Sequence, residues 1–149
     1  MKKYILQTKE KGYSCCQLIS LLNARIYYGN PYLTTLDDYR WEEMVDKYLC
    51  RNGSCLGSRS EMLKEVGLSG ELIDRDEIPN KLPASMTSFT AVGFHNSLVV
   101  SVDGDEWTIV NYDGYKGDVI TVVNKNDINF LKTGHSNDEH YFLSEIKGD

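Results

Sequence analysis

The sequence predicts an α+β domain, helical in its first half and closed by an antiparallel sheet, on three observations. Apolar residues recur at three- and four-residue spacing between residues 16 and 66. Runs rich in β-branched and aromatic residues take over from Phe89. The stretches between those runs are of hairpin length, which cannot build parallel crossovers. With 149 residues, 41% of them hydrophobic and 26% charged, and with no repeat or shift in composition, one core and a single domain over 1–149 are expected.

The first helix is predicted from about Cys16 to Tyr28, with Leu18, Ile19, Leu21, Leu22 and Ile26 on a wide apolar arc, Ser14 as N-cap and Gly29-Asn30-Pro31 as its end. So broad an arc marks a helix enclosed by other elements. Trp41, Met44, Val45, Tyr48 and Leu49 place a second helix between Asp37 and Leu49, where the acidic residues Asp37, Asp38, Glu42 and Glu43 suit the positive end of the peptide dipoles. "RNGSCLGS" then supplies a turn, and a third helix runs from about Arg59 to Val66, closing at Gly67. A connecting segment with Pro79 and Pro83 follows. Strands are predicted in "FTAVGFHNSLVVSV", "EWTIVNY", "DVITVV" and "HYFLSEI", parted by Asp103-Gly104-Asp105, Asp113-Gly114 and a polar stretch near Gly134.

The formal net charge is −6 and the basic residues are scattered, so a nucleic-acid backbone has no footprint to bind. "MKKYILQTKEK" starts as a secretory signal does, but its apolar run spans only Tyr4 to Leu6. No membrane span is expected either, and the cytosol is the expected location. In that compartment Cys15, Cys16, Cys50 and Cys55 are expected as thiols rather than disulfides. A structural zinc is the lesser alternative, because Cys15 and Cys16 are vicinal and zinc ligands are usually separated by two to four residues.

The chemistry-bearing feature is the pair Cys15-Cys16 at a helix start, where unpaired amides and aligned peptide dipoles favour a thiolate over a thiol. His95 opens one predicted strand and Asn111 closes the next, with an Asp-Gly-Asp turn between, so a hairpin brings the two toward one end of the sheet. Asp113 is a second candidate for a group beside the imidazole. A Cys/His/Asn set supplies nucleophile, general base and orienter for acyl transfer.

"YSCCQLISLLNARIYYG", "GSCLGSRSEMLKEVGL" and "HNSLVVSVDGDEWTIVNYDG" together resemble the papain-like cysteine peptidases, nearest the bacteriocin-leader-processing branch, over about the first three quarters of the chain. The resemblance implies a papain-like fold with a central helix headed by the nucleophile, and maps the oxyanion glutamine to Gln7, the nucleophile to Cys16, the base to His95 and the orienter to Asn111. Cys16 rather than Cys15 matches the family register through Ser20, Leu21, Asn23 and Ala24. The helix agrees, since Cys15, Leu18, Leu22 and Ile26 share an apolar stripe and Cys16, Ser20 and Asn23 a more polar one. Two features depart from the pattern: Gln17 stands where relatives carry glycine, and Gln7 lies nine residues before Cys16.

The expected function is a thiol hydrolase acting on a peptide or isopeptide bond of a peptide or protein substrate, without metal or organic cofactor. The resemblance points to cleavage after small residues such as paired glycines. The competing reading is an inactive domain that binds peptides, with Gln17 filling the cleft. Outside this set, Cys50 and Cys55 read as ordinary thiols, and His135 and His140, in the polar "TGHSNDEHYF", read as surface residues. Tyr27, Tyr28, Tyr32, Trp41 and Tyr48 read as cover for a core edge.

Overall fold

A computed structural model describes residues 2–7, 16–48, 59–90, 92–130 and 140–146. Three helices come first: α1 (Cys16–Tyr27), α2 (Tyr39–Lys47) and α3 (Arg59–Glu65). Seven strands follow: β1 (Leu68–Ile73), β2 (Ala84–Thr90), β3 (Gly93–Asp103), β4 (Glu106–Val110), β5 (Ile120–Asn124), β6 (Asn129–Phe130) and β7 (His140–Glu145). They form one antiparallel sheet in the order β1-β7-β2-β3-β4-β5, with β6 alongside β2.

The predicted helix starts and stops hold where they are described. The Asp38 carboxylate caps α2 by accepting from the Arg40 amide, and α1 and α3 end at Gly29 and Gly67, both left-handed at φ 78° and 73°. Ser14 lies outside the described residues.

The sheet differs from expectation at its start. "FTAVGFHNSLVVSV" is not one strand, because it is shared between β2 and β3, which pair antiparallel with Phe89 opposite Phe94 and Thr90 opposite Gly93. The segment with Pro79 and Pro83 also carries structure: β1, a 3-10 turn over Arg75–Asn80, and most of β2.

α1 packs chiefly on β3, with β7 and β2 beside it. Leu18, Ile19, Leu21, Leu22 and Ile26 are buried there against Leu98, Val110 and Leu143, and each fully buried leucine contributes about 1.5–3 kcal/mol. A second cluster of Ile73, Ile78, Ala84, Met86, Val99, Trp107, Ile109 and Ile128 fills the opposite face of the sheet. Trp41 and Tyr48 are buried inside the α1 cluster, deeper than the core-edge position expected of them, and Tyr32 packs half-buried against it. Among the described residues, no helix is long and apolar enough to cross a membrane.

Candidate active site

The candidate residues lie on the N-terminal segment, at the start of α1 and at one end of the sheet. Cys16 is the first residue of α1, half-buried and not in a disulfide. Cys15, Cys50, Cys55 and His135 lie outside the described residues, so the packing role expected for Cys15 and the zinc alternative fall there too.

His95 sits near the opening of β3, opposite Ser88, and is 4% exposed. Its Nε2 lies 2.7 Å from the main-chain oxygen of Asn111. A carbonyl only accepts, so Nε2 carries the proton and Nδ1 holds the lone pair. Nδ1 has no hydrogen-bond partner among the described residues, and Cys16 and His95 are therefore not hydrogen-bonded to each other. Burial pulls the pKa of His95 below its ordinary value, against the Asn111 carbonyl and the nearby Asp113 carboxylate, which act the other way. The neutral imidazole is thereby favoured.

Asn111 follows β4 in a left-handed conformation, φ 58°, which asparagine tolerates better than most residues. Each of its polar groups is used. Its N–H donates to Val119 O at 2.8 Å, and its carbonyl accepts from His95 and, at 3.0 Å, from the Gly114 N–H. Its Oδ1 accepts from the Gln7 N–H at 3.0 Å and its Nδ2 donates to Ile5 O at 2.8 Å. This corrects the role expected of the side chain: the main-chain carbonyl, not the carboxamide, fixes the imidazole, because the left-handed turn aims the carboxamide at the N-terminal segment.

Gln7 is 2% exposed. Its segment is held a second time by α1, where Asn23 accepts from the Ile5 N–H at 2.7 Å and donates to Ile5 O at 3.0 Å. The structure thus brings Gln7, His95 and Asn111 together through direct bonds. Cys16 heads α1, the helix that packs on β3.

Gln17, next to Cys16, pairs with Arg59 of α3. With its oxygen oriented toward the donors, its carboxamide accepts from Nε and Nη2 of Arg59, whose guanidinium also stacks 4.2 Å from the ring centre of Tyr141.

Sequence reasoning used Asn23 only as a marker of register and of the polar stripe, and missed its hold on Ile5. It also misplaced His140, which is 6% exposed on β7 and accepts from the Thr87 N–H at Nδ1. Its polar flank masked a strand parity that turns positions 140 and 142 toward the cluster away from α1.

No protein-family model and no curated protein matches the chain. Among solved structures it is similar to the peptidase domain of Streptococcus ComA, described as a bi-functional ABC transporter involved in a quorum-sensing pathway. The TM-score is 0.67 with 14% identity, over 97% of this chain and 99% of that chain. The likeness is one of fold, and the chain has the α+β fold of a papain-like peptidase domain.

Proposed function

We propose that the chain is a thiol hydrolase that cleaves a peptide or isopeptide bond in a peptide or protein substrate. The observation that carries this reading is that Asn111, on a peptidase-domain fold, ties the imidazole of His95 to the segment bearing Gln7. Cys16 heads the helix that grips the same segment: Asn23, which bonds Ile5, stands seven residues along α1 from Cys16, about 10 Å of helix rise.

In this mechanism His95 Nδ1 removes the Cys16 thiol proton, the sulfur attacks the carbonyl carbon, and the Cys16 amide with the Gln7 side chain holds the developing oxyanion. The proton passes from Nδ1 to the leaving amine as the C–N bond breaks. Water, deprotonated at the same nitrogen, then hydrolyses the thioester and the thiol is restored. The Nε2–H bond to Asn111 holds the tautomer through both halves. No group of this scheme requires a metal or cofactor, and the cytosol is the proposed location.

Labelling with iodoacetamide at neutral pH tests the reading. Cys16→Ala is expected to abolish rapid modification, Cys15→Ala to retain it, and His95→Ala to slow it. Rapid labelling that survives in Cys16→Ala rejects the assignment.

The second reading, an inactive peptide-binding domain, has its own observation. Along β3 Leu98 faces the α1 cluster and Val99 the other, and His95 has the parity of Val99. Under that reading His95→Ala leaves the labelling rate unchanged.

A further inference from the structure

We infer that Asn23 and the carboxamide of Asn111 are positioning groups for Gln7, a role that rests on the thiol-hydrolase reading. Residues 2–7 join no strand of the sheet, yet Ile5 is 6% and Gln7 2% exposed, so their main-chain groups need partners inside the protein. A buried amide left unbonded loses its water partner without replacement.

The partners are two side chains from distant parts of the chain. Asn23 matches both the N–H and the C=O of Ile5, as a neighbouring strand would. Asn111 takes the next pair, the C=O of Ile5 and the N–H of Gln7. Three of the main-chain groups leading to Gln7 are thus fixed by carboxamides, and both ends of each carboxamide are used. Aspartate has no donor for Ile5 O and would set a charged oxygen against it, which is the chemical reason for an amide at both positions.

The arrangement costs helix stability, since asparagine in mid-helix is less favourable than alanine. At one end of Asn111 the carbonyl sets the base, and at the other the carboxamide sets the residue that receives the oxyanion. A single turn therefore fixes the spacing between the two.

A double-mutant cycle tests the inference, read as kcat and KM on a peptide substrate cleaved by the unaltered chain. Gln7→Ala is expected to lower kcat about a hundredfold, as loss of an oxyanion donor does, and Asn23→Ala about tenfold with KM held within about twofold. If Asn23 acts through Gln7, the double variant is no slower than Gln7→Ala alone. Multiplied losses, or an Asn23→Ala kcat equal to that of the unaltered chain, overturn the inference.

Asn23→Ser serves the same cycle should the alanine variant not fold. Asn111→Gly retains the left-handed turn and the carbonyl on His95 while deleting the carboxamide, so it is expected to lower kcat without moving the acidic limb of the pH profile. A shifted limb overturns the division of roles. An unaltered chain that neither cleaves peptides nor labels at Cys16 rejects the thiol-hydrolase reading and this inference together, whereas an active chain with multiplied losses rejects the inference alone.

Discussion

The Nε2 of His95 donates to the main-chain oxygen of Asn111 across 2.7 Å, and the same oxygen accepts from the Gly114 N–H at 3.0 Å. The ring is thus held by a turn whose own closure uses the other lone pair of that oxygen. A side-chain orienter rotates about its own bonds. A carbonyl inside a hydrogen-bonded turn moves only if the backbone does, which fixes the imidazole plane at little entropic cost.

Gly114 is the weak point of that turn. Its φ is 58°, and a Cβ added there would stand 3.2 Å from His95 Cε1 and 3.2 Å from Val92 Cγ2. Gly114→Ala is expected to cost about 1–2 kcal/mol by urea unfolding and to slow labelling of Cys16, because the ring is displaced as well as the backbone strained. Gly104→Ala is the control: φ is 60° with no atom within 4 Å of the new Cβ, so it is expected to cost about 1 kcal/mol and leave labelling unchanged. Equal labelling in both variants would show that Gly114 does not position the ring.

The parts of the fold written as periodicity were legible in the sequence. α1 showed itself by its apolar arc and Gly29, and β3 to β5 by β-branched runs and Asp-Gly turns. β1 did not, because four successive positions in "LSGELI" are exposed and carry no alternation. β2 was hidden for the opposite reason. Ser85, Thr87 and Ser88 are buried but polar, and the first two are satisfied sideways by Asn96, whose Nδ2 donates to Ser85 Oγ at 2.7 Å and Thr87 Oγ1 at 3.3 Å. At the site, Gln7, Cys16, His95 and Asn111 were named by family resemblance, and bonds reaching across 104 and 106 residues, such as those from Asn111 to Gln7 and Ile5, leave no local pattern to read.

His140 predicts an acid-sensitive core. Burial, and then the Arg75 charge, push its pKa down to about 4, with Asp74 opposing. The Thr87 N–H donates to Nδ1, which requires that nitrogen unprotonated. The unfolded chain takes up the proton near pH 6.5 and the folded chain only near 4, so the folded state is stabilised above pH 6.5 and that stability is lost as the pH falls from 6.5 to about 4. The loss is roughly 3 kcal/mol. Asparagine at 140 retains an acceptor for Thr87 but does not titrate. Urea unfolding of His140→Asn is therefore expected to show a shallower decline between pH 7 and 4 than the unaltered chain, and parallel declines would remove His140 as the cause.

Arg25 ties the far end of α1 to the turn that follows it, to the end of α3 and to β7, and its neighbours decide which of its bonds matter. Nε donates to Asn30 O at 2.8 Å, Nη1 donates to Val66 O at the end of α3, and Glu145 of β7 lies 3.3 Å from Nε. The carbonyls belong to helix-terminal turns that lack further intrahelical donors. The ion pair is partly open to water, with 29% of the Glu145 side chain exposed, and such pairs contribute about 0–1 kcal/mol. A lysine carries one nitrogen and cannot span Asn30 and Val66 as the guanidinium fork does. Arg25→Lys is therefore expected to cost about 1–2 kcal/mol, largely unchanged between 0.1 and 1 M salt, while Glu145→Gln costs less and loses that cost at high salt. If the two variants lose equal stability and salt abolishes both losses, the guanidinium acts through charge, and the carbonyl contacts carry no weight in holding α1 against the sheet.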